Sequence, residues 1–287
     1  MIRQAILIIA HNNIEILNKL IETLDSKYFD IYIHVDKKSN IKVEDIKSNG
    51  KESNIYIYKV YDIRWADYSQ IECELFLLKK SIENGKYSYY HLISGVDFPI
   101  KSNKYIFDFF SNSNKEFIHF EAKNFPKYKE DYYFRRNFNI KNYKKNLLNK
   151  IINKTAIYIQ KIFNIKINEN VNFRVGSNWF SITNELAEYI TSNEGYIKEV
   201  FKYSRSGDES FIQTLVYNSK FVDNLYNENF DNDYESCQRY IDWKRGNPYI
   251  FRNEDYNELI NSNCCFARKF DKNIDMTIIE KLIRNRS

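Results

Sequence analysis

Apolar and polar positions alternate along the first hundred residues in two different rhythms. Ala5 to Ala10 and Ile31 to Val35 are compact apolar runs bounded by polar residues, whereas Ile14 to Leu24 spaces its apolar residues every three or four positions. Extending this reading predicts a strand over Ala5–Ala10, a helix over Ile14–Leu24 and strands over Ile31–Val35 and Asn54–Val60. A helix over Ser69–Ile82 and a strand over Tyr89–Ile93 follow. Strands alternating with helices imply a mainly parallel sheet covered on both faces. Such sheets bind ligands beyond the carboxyl ends of their strands, so His11-Asn12-Asn13, Asp36-Lys37-Lys38 and Ser94 to Asp97 should share one rim. The glycine fingerprints of dinucleotide and P-loop sites are missing, which leaves side chains to hold any nucleotide.

The last of these strands runs into His91-Leu92-Ile93-Ser94-Gly95-Val96-Asp97-Phe98-Pro99-Ile100-Lys101, an apolar segment that breaks into a polar turn with a carboxylate and stops on proline. A second junction, Arg174 to Thr183, is a glycine turn leading into an aromatic strand, with a helix expected from Asn184. Beyond it, Asp208 and Glu209 are expected to open a helix that is apolar at Phe211, Ile212, Leu215 and Val216. Acids there complement the helix dipole and cap the first turn, and one of the two is also placed to serve as a general base. Arg239 to Pro248 and Cys264 to Phe270 set cations beside aromatics, a pattern that suits a clamp for a polyanion such as a diphosphate.

Composition narrows the classes. Seven Gly and three Pro in 287 residues leave little room for linkers, so one large domain is expected. It divides into a nucleotide-binding half (1–120), a basic helical segment (121–175) and a catalytic half (176–287). Cys73, Cys237, Cys264 and Cys265 have neither metal-ligand nor disulfide-scaffold spacing. The opening apolar run is too short to span a bilayer and lacks a cleavage pattern, which points to a cytoplasmic protein. Charge is concentrated between Lys127 and Lys166, where eleven Lys or Arg face two acids, against +5 for the whole chain. Apolar residues recur at helical spacing within that block. It reads as a basic amphipathic helix that either packs on the core or touches an anionic membrane, and no nucleic-acid motif accompanies it.

Five of these segments, Ser94 to Lys101, Gly176 to Phe180, Asp208-Glu209 with its helix, Tyr240 to Trp243 and Phe266 to Phe270, occur in one order over nearly the full chain. In that order the sequence resembles the core-2/I-branching β-1,6-N-acetylglucosaminyltransferases, with their xylosyltransferase relatives and bacterial members. The resemblance implies a single Rossmann-like domain of the GT-A glycosyltransferase type, and an inverting transfer from a UDP-sugar that needs no metal or other cofactor. The sugar would most readily be N-acetylglucosamine. Position by position it implies Glu209 as catalytic base, and His11, Asn12, Asp36, Lys37, Trp65, Arg245, Arg268 and Lys269 around the donor. Glu121, Lys129, Trp179 and Trp243 fall around the acceptor. An acceptor-contacting arginine of the animal enzymes falls on Tyr132, with Arg135 and Arg136 nearby. Without the anchor and disulfides of those enzymes, the chain fits a bacterial cytoplasmic enzyme of surface-polysaccharide synthesis. It would act on a glycan or lipid-linked acceptor, with peripheral contact at the inner leaflet through Lys127–Lys166 as the expected membrane link. The rival readings are a metal-dependent transferase using Asp231 and Asp233, and a binding module that keeps the pockets without the chemistry.

Overall fold

The computed structural model describes residues 1–122, 132–134 and 147–285. All six expected elements of the first half are present: β1 (Gln4–Ala10), α1 (Ile14–Leu24), β2 (Phe29–Val35), β3 (Ile55–Tyr58), α2 (Ser69–Asn84) and β4 (Tyr89–Ser94). The third strand is shorter than expected for a local reason. The backbone N–H groups of Val60 and Tyr61 donate to the His34 ring, which takes them out of the ladder.

The chain continues through β5 (Asp97–Pro99), α3 (Asn103–Ser111), β6 (Phe117–Ile118), α4 (Leu147–Ile162), β7 (Phe180–Thr183), α5 (Asn184–Ser192) and α6 (Glu194–Phe201). It ends with α7 (Phe211–Tyr217), β8 (Arg239–Ile241), α8 (Tyr256–Asn261), β9 (Phe266–Arg268) and α9 (Thr277–Arg284). The main sheet has the order β3-β2-β1-β4-β7-β6, parallel through β4, with β7 and β6 antiparallel at one side. A small second sheet, β5-β9-β8, stands beside it. Pro99 therefore does not end the strand region. It lies in β5 at the edge of the small sheet, where a missing donor is tolerated.

Both faces of the main sheet are buried, as a parallel sheet requires. Ile6 and Ile8 of β1 point into one core with α1, α9 and Phe266, while Ala5 and Leu7 point into the other with α2, α5 and α7. Among the described residues no helix is long and apolar enough to cross a membrane.

The two sheets are joined by Arg239, which is 1% exposed. Its guanidinium donates to Leu92 O of β4 (3.0 Å), Phe180 O of β7 (2.8 Å), Cys237 O (2.6 Å) and the Ser181 hydroxyl (3.3 Å). It also lies 4.6 Å from the centre of the Phe266 ring of β9. Replacing it with Met should cost about 3 kcal/mol in urea unfolding, because two strands' carbonyls would be left buried without donors. Lys should recover only part of this, since an ammonium lacks the planar fork that reaches both strands at once.

Candidate active site

At the carboxyl ends of β1, β2 and β4 the three expected polar clusters do share a rim. The Ser94–Asp97 turn closes on itself. Asp97, 1% exposed, accepts from the Ser94 backbone N–H and hydroxyl, both at 2.7 Å. Gly95 is required because a Cβ there would come within 2.8 Å of the Ala10 side chain, at the mouth of β1. The turn holds one cation. Asp97 pairs with the Arg268 guanidinium at 2.7 Å through Nη1, and Ser94 Oγ meets the same nitrogen. No described residue takes the other guanidinium nitrogens, so that edge can still meet an anion. Lys269, next in the chain, is half-buried and forms no ion pair among the described residues.

His11 lies within electrostatic reach of Asp36, Lys38 and Arg268. Burial lowers its pKa most; Asp36 raises it, while Arg268 and Lys38 lower it further. Asp36 accepts backbone N–H groups from Lys38 (3.0 Å) and Ile63 (3.3 Å), and Lys38 pairs with Asp62 at 2.9 Å. These contacts tie the β2 loop to the segment that leads to Trp65. Asn12 and Lys37 are exposed at the same rim.

The two acids do not open a helix as expected. They lie on a short 3-10 turn, Gly207–Glu209; the helix starts only at Phe211, and neither carboxylate caps it. Ser206, at φ 52°, makes the chain turn before them, and its N–H is held by Ala66 O at 3.1 Å. On this tighter turn the acids diverge. Asp208 is 5% exposed and accepts from Gln70 at 2.6 Å, while Glu209 is exposed.

Behind the turn sits Glu74 of α2, fully buried, with neither carboxylate oxygen within ordinary hydrogen-bond geometry of a partner. Burial, then the charge of Asp208, pushes its pKa well above the usual carboxylate range, against a smaller effect of Asn178. Asp208 is pushed up to about 7 by burial first and Glu209 second. Glu209, though it reaches solvent, is flanked closely enough by protein that desolvation raises its pKa. Glu121 adds to the rise and Arg205 opposes it.

Glu121 follows β6, with its N–H on Val175 O (2.8 Å), one unpartnered buried oxygen and a pKa raised by burial. Trp243 is exposed and bonds the Tyr234 hydroxyl; Tyr234 stacks on His119 at 4.0 Å and feels both Glu121 and Glu209. Trp65 is exposed, with Arg205 over its ring at 5.5 Å. The glycine turn links these parts. Gly176 N donates to Glu209 O (2.9 Å), and three residues on Trp179 places its ring 4.6 Å from the Arg268 guanidinium. Three residues span at most about 10 Å, so the Gly176–Trp179 segment brings the Glu209 backbone and the Arg268 guanidinium into one neighbourhood. Trp179, expected near the acceptor, thus lies against the donor-side cation.

Arg245 is placed differently from the other donor-side residues. Its guanidinium is taken up by Asp242, by Asp255 at 2.7 Å and by Glu258 at 2.7 Å. Tyr132 is buried, stacked on Phe173, with its hydroxyl on Ser206 O. Lys129, Arg135 and Arg136 lie outside the described residues. Asp233 caps a 3-10 turn through Glu235 N and Asp231 pairs with Asn227. Among the described residues no three His, Cys, Asp or Glu side chains gather to hold a metal ion.

Sequence reasoning missed Glu74, although a signal was there. It falls with Ile71, Leu75 and Leu78 on the buried stripe of α2, where a carboxylate is out of place. His119, Tyr234 and Arg205 gave no comparable sign.

The mainly parallel six-stranded sheet flanked by helices, with its carboxyl-end rim, is an α/β fold of the GT-A glycosyltransferase type. The chain belongs to the Core-2/I-Branching enzyme family, whose sequence profile matches residues 5–260. It is 22% identical to xylosyltransferase 2 of Rattus norvegicus over 303 aligned residues, covering 98% of this chain and 33% of that protein. It is 28% identical to the xylosyltransferase sqv-6 of Caenorhabditis briggsae, covering 87% and 32%, and 24% identical to a xylosyltransferase of Ciona intestinalis, covering 98% and 34%. The chain spans about a third of the length of these curated relatives.

Two outcomes follow for the catalytic turn. A Cβ on Gly176 would stand 1.9 Å from His119 O, so Gly176→Ala should lower stability by several kcal/mol or block folding, read by urea unfolding or soluble yield. Asp208 is an acid whose folded pKa, about 7, lies above its unfolded value. Its favourable contribution is complete below about pH 4 and is lost as pH rises through about 7. Relative to wild type, Asp208→Asn should therefore gain about 2 kcal/mol between pH 5 and pH 8, measured by denaturant unfolding at each pH.

Proposed function

We propose that the chain is an inverting glycosyltransferase that moves a sugar from a UDP-sugar to a hydroxyl of a glycan or lipid-linked glycan, with Glu209 as general base and no metal in the step. The observation that supports this best is the Gly176–Trp179 segment, which is bonded to Glu209 at one end and packed on Arg268 at the other. This supports a reading in which a proton acceptor and a diphosphate-binding cation serve one site.

In this reading the acceptor oxygen attacks C1 of the sugar from the face opposite UDP while Glu209 takes its proton, giving inversion by one displacement. The raised pKa of Glu209 makes it a stronger base than an unperturbed carboxylate while leaving it ionised for turnover above its pKa. Arg268 and Lys269 balance the charge that grows on the departing diphosphate, the task a divalent ion performs in metal-dependent enzymes. Arg245, occupied by three acids, serves instead to hold the loop that carries Trp243. The donor is N-acetylglucosamine if the branching enzymes are the better guide, and xylose if the relatives named xylosyltransferases are. A bacterial surface polysaccharide made at the cytoplasmic side of a membrane is the setting we favour, on the basic segment and the few cysteines.

The test is UDP release from a panel of UDP-sugars, with and without EDTA. Wild type should release UDP from one donor preferentially and resist EDTA. Glu209→Gln should lose at least about 100-fold in kcat with little change in donor KM, and the wild-type kcat/KM should fall on the acid side at a pH above the ordinary carboxylate range. Lys269→Met should lower kcat about 100-fold. Loss of activity in EDTA would transfer the chemistry to a metal-dependent reading with Asp231 and Asp233, and full activity in Glu209→Gln would remove the general base.

A further inference from the structure

The helix α4 does not turn its most apolar side inward. It meets the protein through Asn153, which is 3% exposed, and through the half-buried Ala156, Ile157 and Gln160, four positions on one line of the helix. Its more apolar line, Leu148, Ile151, Ile152, Ile159 and Ile162, faces out, each residue between 46% and 65% exposed. A helix stabilised by burial turns these faces the other way round. The outward apolar line continues past the helix end in Phe163 and Ile165, 70% and 53% exposed.

Along the other outward flank run Lys150, Lys154 and Lys161, all exposed, and α4 contains no acid. Two basic hollows lie at its carboxyl end. One, of about 290 Å³, is lined by Tyr133, Phe134, Lys161 and Lys166, and the other, of about 550 Å³, includes Lys198 and Lys202 with one acid, Glu199. Apolar side chains beside a lysine stripe fit the boundary between acyl chains and anionic headgroups, where the stems of the lysines lie along the apolar surface and their ammonium groups reach phosphate.

We propose that α4 is a membrane-docking helix that inserts Leu148, Ile151, Ile152, Ile159 and Ile162 into an anionic lipid surface. The two lysine-lined hollows then lie at headgroup level. Docking stands apart from the transferase reading, but its consequence rests on that reading: the acceptor is lipid-linked and is presented to Glu209 from the membrane. The path is short. Directly after α4, Ile167 N bonds Tyr133 O (2.9 Å) and Asn168 bonds Tyr132 O (3.1 Å), and the Tyr132 hydroxyl bonds Ser206 O, three residues before the base.

The experiment is co-sedimentation of the full chain with vesicles of phosphatidylcholine alone and with roughly one third phosphatidylglycerol, at low and high salt. Wild type should pellet with the anionic vesicles and only weakly with the neutral ones. Both Ile151→Asp/Ile159→Asp and Lys150→Glu/Lys154→Glu should reduce the bound fraction at least tenfold, with UDP release in lipid-free buffer unchanged as the control for folding and for the separate question of catalysis. Wild type that stays in the supernatant, binds neutral vesicles equally well, or binds as well when carrying either pair of substitutions would overturn the proposal. A lipid-free dimer in sedimentation velocity that Ile151→Asp/Ile159→Asp dissociates would also overturn it, and would assign the face to a second copy of the chain.

Discussion

The site depends on a buried cation that, among the described residues, has no carboxylate hydrogen-bonded to it. The two terminal nitrogens of Arg239 donate to carbonyls and a hydroxyl from β4, β7 and the turn before β8, its Nε has no partner among the described residues, and the guanidinium lies against the face of Phe266. Burial lowers its pKa, yet a guanidinium stays charged at neutral pH, so the desolvation cost is constant and must be met by those acceptors. The geometry they impose sets the rest. β7 is pinned just after Trp179, and β9 just before Arg268 and Lys269, so the cations and the glycine turn that reaches Glu209 are fixed to one point between the sheets.

The adjacent acids show how one turn gives two chemistries. In an α-helix both would sit near its N-terminus and be drawn toward capping. The 3-10 turn that forms instead sends Asp208 inward to Gln70 and Glu209 outward to the cleft. Asp208 and Glu74, buried within electrostatic reach of each other, favour their protonated forms, so little negative charge accumulates behind the base. Glu209 owes its own raised proton affinity to burial first and to Glu121 second, with Arg205 opposing.

What was legible in the sequence follows from what sequence patterns encode. The first half builds its elements from long runs with a single period, so strands, helices and the shared rim could be placed from apolar spacing alone. The second half uses three-residue strands and 3-10 turns, too short to show a period, and their form is set by partners far along the chain. Arg239 holding β7 and Ala66 holding Ser206 are examples. The roles proposed for Glu209 and Lys269 rest on motif order, whereas the three acids around Arg245 could not be foreseen, because Asp255 and Glu258 reach it only through the fold of the β8–α8 connection. The pattern in α4 gave its amphipathic character but not its direction, since spacing reveals which residues share a face and not which face the protein covers.

The separation of acidic and basic groups in the candidate site follows from the fold rather than from any single residue. Carboxylates from the β6 end and the 3-10 turn gather on one side, Glu121 and Glu209, each with its proton affinity raised by burial. The cations from the β9 end gather on the other, with Arg268 oriented by a carboxylate so buried that it cannot swing toward solvent. Trp179 lays a flat aromatic surface against Arg268. Under the proposed reading a proton leaves toward Glu209 while negative charge departs toward Arg268 and Lys269 in one coordinated displacement, and a site with both poles built in would lower the energy of both movements at once.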